Sequence, residues 1–97
     1  MLTDKLYETL CIDENKATIK LADENHPLFK AHFPDMPILP GYANFDIVAK
    51  LFNINITTIK KAKFLKTVTP NQILTYEKNN NKFKVYCKDE EVASFIL

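Results

Sequence analysis

A chain of 97 residues, 46% of them hydrophobic, makes one domain spanning residues 1–97, with a modest core that self-association would enlarge. The net charge of +1 excludes a globally basic nucleic-acid binder, although Lys60, Lys61, Lys63 and Lys66 cluster and Asp89, Glu90 and Glu91 form a small acidic turn. The two cysteines, Cys11 and Cys87, have neither Cys-x-x-Cys spacing nor a Cys/His metal pattern, and both are expected as small buried apolar residues in a reducing compartment.

Residues 1–5 carry no apolar signal run and no segment approaches a membrane span, so a cytoplasmic setting is expected. Residues 5–12 read as a first strand and residues 13–15 as a turn. From Lys16 to Leu21 the pattern alternates, with Ala17, Ile19 and Leu21 on one face and Lys16, Thr18 and Lys20 on the other. That is a half-buried strand, paired with the first as a hairpin.

The stretch from Asn25 to Pro40 reads as a long irregular loop. With the residues up to Asp46 it holds both histidines, four of the five prolines and the only glycine. Pro27, Pro34, Pro37 and Pro40 stiffen it, because each ring fixes φ and biases the residue before it away from helix. Long loops in small domains are uncommon and usually functional. Pro40 and Gly41 then open a helix running to about Asn53. Tyr42, Phe45, Val48, Ala49 and Phe52 follow helical spacing, and Ile47 and Leu51 extend the apolar surface most of the way around. A helix apolar on nearly every side is expected to be buried on nearly every side. Asn44, Asp46 and Lys50 are its polar exceptions.

The remainder reads as strands: residues 56–66, then 73–78, 82–88 and 92–97. Turns lie at 69–71, 79–81 and 89–91. The asparagines at 79–81 suit positive φ, and Asn71 tolerates a left-handed turn. One buried helix against about six mostly antiparallel strands is an α+β layer in which a curved sheet wraps the helix.

The chemistry-bearing residues sit where loop meets helix. His32 places an imidazole, with an ordinary pKa of about 6.5, in a rigid loop, as a general base requires. The N–H groups of the first helical turn form an anion site, with Gly41 allowing close approach to its backbone. Asp46 puts a carboxylate on an apolar helix, where it is placed to give or relay a proton. No metal or cofactor is expected.

Asn25, Pro27, Phe29, His32, Phe33 and Pro34, followed by Pro37, Pro40, Gly41 and Asp46, resemble the signature of the 3-hydroxyacyl-(acyl carrier protein) dehydratases of fatty-acid synthesis, with the same fourteen-residue step from His32 to Asp46. Lys63-Phe64-Leu65-Lys66-Thr67-Val68-Thr69-Pro70 is similar to a second family motif. The resemblance implies the hot-dog fold, a homodimer or higher oligomer, and sites composed of the histidine of one protomer and the acid of its partner. It implies dehydration of 3-hydroxyacyl thioesters carried on acyl carrier protein to trans-2-enoyl thioesters. His32 would be the base, Asp46 the acid or water relay, and the Gly41 N–H the stabiliser of the enolate. Pro40 and Tyr42 would flank that amide. Phe29, Phe33, Met36, Ile38 and Leu39 would line an apolar acyl tunnel, and Lys63 and Lys66 would dock the acidic carrier protein. Ala31 stands where the family has glycine, so a position demanding positive φ would be strained there. A hot-dog thioesterase and a non-catalytic carrier-binding subunit are the alternatives.

Overall fold

The computed structural model describes residues 5–31 and 35–97. Six strands, β1 (Tyr7–Ile12), β2 (Lys16–Leu21), β3 (Lys61–Phe64), β4 (Ile73–Asn79), β5 (Lys82–Cys87) and β6 (Glu90–Ile96), form one sheet in the order β1-β2-β4-β5-β6-β3. Every pairing is antiparallel. Two helices accompany it, α1 (Pro27–Ala31) and α2 (Ala43–Leu51). This is the expected hot-dog arrangement, a curved sheet around a central helix.

Period-two alternation puts Ala17, Ile19 and Leu21 of β2, Leu74 and Tyr76 of β4, Phe83, Val85 and Cys87 of β5, and Ala93 and Phe95 of β6 on the inner face, all buried. Ala43, Ile47 and Val48 of α2 and Leu28 and Phe29 of α1 pack in the same core. Each large apolar side chain sealed this way contributes about 1.5–3 kcal/mol relative to exposure. Register shifts between Thr9 and Cys11 in the β1–β2 pair and between Val85 and Tyr86 in the β5–β6 pair add local twist, which bends the sheet around the helix.

The turns follow residue type. Asn80 (φ 57°) turns β4 into β5, and Asn71 (φ 68°) precedes β4, both as read from the asparagines. Lys88 and Asp89 both take positive φ, 54° and 63°, in the two-residue loop between β5 and β6. Positive φ at both central positions matches a type I′ turn, whose twist suits a hairpin.

Four expectations are corrected. The loop after β2 is not wholly irregular: Pro27 occupies the first position of α1, where its missing N–H is no loss. Strand β3 is four residues long instead of spanning 56–66, because β6 supplies a ladder partner only for Lys61 to Phe64. Helix α2 is shorter than its apolar run and is sealed on one side only. Cys87 is buried, but Cys11 is exposed: the β1 bulge pairs it with Thr18 on the outer face of an edge strand. Among the described residues, no helix is long and apolar enough to cross a membrane.

Candidate active site

The approach to the site is built from local hydrogen bonds. Asp23 accepts the Asn25 N–H on its side chain at 2.9 Å and the His26 N–H on its carbonyl at 3.1 Å, closing an Asx turn. His26 then caps α1: its Nδ1 accepts the Leu28 N–H at 3.0 Å, and its carbonyl accepts that of Lys30 at 3.1 Å. This is the role usually taken by Ser, Thr, Asp or Asn. The imidazole is buried and meets Phe29 edge-on, with centroids 6.4 Å apart. Ala31 ends α1 in helical conformation, so its methyl meets no positive-φ demand. His32 and Phe33, the expected base and a tunnel residue, lie with Pro34 outside the described residues.

The second half of the site is the start of α2. Leu39 donates its N–H to Val68 at 2.7 Å, tying the incoming chain to the segment after β3. The first turn then winds tightly. Ala43, Asn44 and Phe45 donate to the carbonyls of Pro40, Gly41 and Tyr42 at 3.0–3.1 Å. These i→i−3 bonds occupy three donors that the sequence alone leaves open for an anion. The amide of Gly41 lies just upstream of them, and no acceptor among the described residues takes its N–H.

Gly41 has negative φ, so its backbone conformation makes no demand for glycine, and its Cα lies close under the Phe64 ring. A Cβ at this position would stand 2.8 Å from Phe64 Cζ and 2.9 Å from its Cε1. The Phe64 ring thus lies over the helix start and also meets Phe45 edge-on, with centroids 6.3 Å apart. Beside it opens a mainly apolar cavity of about 580 Å³, lined by Pro40, Gly41, Tyr42, Phe64, Leu65 and Val68 among others, with Lys66 on its wall. A larger depression of about 900 Å³ is lined by Lys16, Glu77, Lys88 and Asp89, solvated charges that suit an acyl chain poorly.

The expected site residues are therefore divided. Pro40, Gly41 and Tyr42 share the cavity, as do Ile38 and Leu39. Phe29 is fully buried in the core and does not line this cavity. Met36 is exposed. Asp46 is half-buried one turn into α2, on a stripe with Tyr42, Phe45 and Ala49. Lys63 is exposed on β3, and Lys66 pairs with Glu90, both side chains more than half exposed. Such a pair adds little stability. Among the described residues, no cluster of His, Cys, Asp or Glu could hold a metal ion.

Sequence reasoning missed the pairing of two buried residues. Asn44 is buried and accepts the Tyr76 hydroxyl at 2.7 Å. Burial pushes the Tyr76 phenol far above its ordinary pKa, with Tyr7 adding to the shift. An amide on an otherwise apolar helix was the signal available, but its partner is 32 positions away.

Residues 9–95 match the profile of the ApeI-like family, described as ApeI dehydratase. The 3-hydroxyacyl-(acyl carrier protein) dehydratase FabZ of Ehrlichia ruminantium is 34% identical over an alignment covering 81% of this chain and 64% of that protein. FabZ from a Thermoanaerobacter species is 33% identical over 79% of this chain and 63% of its own. The chain thus spans less than two thirds of the length of these relatives. In fold it is similar to the dehydratase heterocomplex ApeI:P of Xenorhabdus doucetiae, at a TM-score of 0.69 and 21% identity over 92% of this chain and 93% of that one. A hypothetical thioesterase of Streptococcus pneumoniae has the same fold, at a TM-score of 0.55 and 11% identity over 93% of this chain and 88% of that one.

Proposed function

The chain belongs to the ApeI-like dehydratase family, and from that premise we propose that it removes water from 3-hydroxyacyl thioesters carried on acyl carrier protein. His32 takes the proton from C2, and the electrons of that C–H bond form the C2–C3 double bond. The thioester oxygen, negatively charged as the enolate develops, accepts from the Gly41 N–H. The C3–O bond then breaks, and Asp46 of a second copy supplies the proton, directly or through water, with which the hydroxyl leaves as water. The product is a trans-2-enoyl thioester.

The observation that carries this reading is the Gly41 amide at the edge of an apolar cavity, upstream of a helix whose other donors are occupied. A positioned base is worth about 10²–10⁴ in rate, and one oxyanion donor about 10²–10³ in kcat. The second copy is supported by what one chain leaves open. Strand β3 is an edge with Phe64 and Leu65 about half exposed, and Ile59 upstream is also exposed. Unpaired edges of this kind are templates for pairing with another chain. A homodimer joined there covers the α2 stripe that holds Asp46. Lys63 and Lys66, with Lys60 and Lys61 nearby, present positive charge to an acidic carrier protein. Two free thiols, at Cys11 and Cys87, fit a reducing cytoplasmic setting.

The test is hydration run in reverse. Pure protein with a crotonyl thioester should remove the enoyl absorbance without releasing thiol. Thiol release would assign the site to hydrolysis, and binding of acyl carrier protein without either change would make the chain a non-catalytic subunit.

A further inference from the structure

The start of α2 is held from behind by two buried polar side chains that no step of the proposed reaction uses. Tyr76, fully buried on the inner face of β4, donates its hydroxyl to Asn44 Oδ1 at 2.7 Å. Asn44, 5% exposed, donates from Nδ2 to the Gly41 carbonyl at 3.2 Å. Its own backbone N–H reaches the same carbonyl at 3.1 Å. The Gly41 oxygen therefore accepts twice, one hydrogen bond for each lone pair.

Packing alone does not call for this arrangement. Leucine at 44 and phenylalanine at 76 would fill similar space without burying an amide and a phenol, groups costly to desolvate unless paired. Glycine, moreover, has the widest φ/ψ freedom of any residue, so the amide assigned to the enolate sits on the backbone least able to hold itself still. Catalysis by a fixed dipole requires that it be aimed beforehand.

We propose that Asn44 and Tyr76 are positioning residues: by holding the Gly41 carbonyl they fix the Gly41–Tyr42 peptide plane, and with it ψ of Gly41, so that the N–H on the other side of the same Cα keeps its aim at the thioester oxygen. The inference rests on the dehydratase reading. It assigns to β4 a part in the site that neither the cavity wall nor the loop motif contains.

The chain has a single glycine, so full-length protein labelled with ¹⁵N-glycine gives one amide resonance, that of Gly41. In Tyr76→Phe, the ¹⁵N order parameter of this amide should fall below the rigid-backbone range as the carbonyl of the same residue loosens. With crotonyl thioester, kcat should fall about tenfold, a fraction of what losing an oxyanion donor outright would remove, while KM changes less than twofold. The double variant Asn44→Leu/Tyr76→Phe leaves neither side chain with an orphaned polar group and should regain thermal stability. Its kcat should stay low if the pair positions the amide. A stably folded double variant with wild-type kcat overturns the proposal, as does an unchanged Gly41 order parameter in Tyr76→Phe. If wild-type protein neither hydrates nor dehydrates any thioester, the dehydratase reading fails separately. The lock is then judged by the order parameter alone: lower in Tyr76→Phe supports it, unchanged overturns it.

Discussion

Helix α2 has two unlike sides. Ala43, Asn44, Ile47 and Val48 are sealed against the sheet, with no buried side-chain polar atom among them left unpaired. Tyr42, Phe45, Asp46 and Ala49 form a stripe that one chain leaves half open or exposed. The first side is the stability of the domain: apolar burial plus one satisfied polar network. The second carries a carboxylate and aromatic surface that a lone protomer does not cover, beside an unpaired strand edge. A side finished by its own chain specifies the fold. The one left unfinished is where the proposed second copy would sit.

Substitutions on the two sides should therefore fail differently. The effect should be largest at the proposed base: His32→Ala should lower turnover of crotonyl thioester by about 10²–10⁴-fold, or about 3–5 kcal/mol of barrier, with the denaturation midpoint unchanged. On the sealed side, Ile47→Ala should destabilise by about 2–5 kcal/mol in chemical denaturation, with turnover per folded molecule nearly preserved. A smaller effect marks the buried network. Burial raises the Tyr76 pKa, and Tyr7 raises it further, so the unfolded chain loses this proton first, from about pH 10 upward. Stability is thus full below pH 10 and should fall above it by up to about 1.4 kcal/mol per pH unit, a slope that Tyr76→Phe should reduce. Smallest is the rim: Lys66→Ala removes an exposed pair with Glu90 and should change stability by less than about 1 kcal/mol, while raising KM for a carrier-bound substrate but not for a coenzyme A thioester.

Much of the fold was legible because its signals are local. The alternation of Ala17, Ile19 and Leu21, and of Phe83, Val85 and Cys87, marks inward faces, and the asparagines at 71 and 80 take the left-handed backbone their side chains tolerate. What was illegible depends on partners distant in sequence. Residues 56–60 have strand-like composition, but a strand needs a ladder and β6 pairs only with Lys61 to Phe64. The exposure of Cys11 follows from a bulge that composition does not announce. Helix α1 was hidden by reading Pro27 as a breaker when it opens a helix capped by the His26 ring, an uncommon cap. At the candidate site, Pro40 and Gly41, named from the motif, and Tyr42 beside them line one cavity. Phe29 belongs to the same motif yet packs in the core, and the contact between Phe64 and Gly41 joins segments far apart in the chain.

The claim that two protomers compose each site is tested most directly by mixing two inactive variants, His32→Ala and Asp46→Asn, under conditions that exchange subunits. Half of the random dimers are then mixed, and each mixed dimer holds one site with both groups intact. Activity should return to about a quarter of wild type. Verified subunit exchange with no recovery of activity would contradict a shared site and place both groups within one chain.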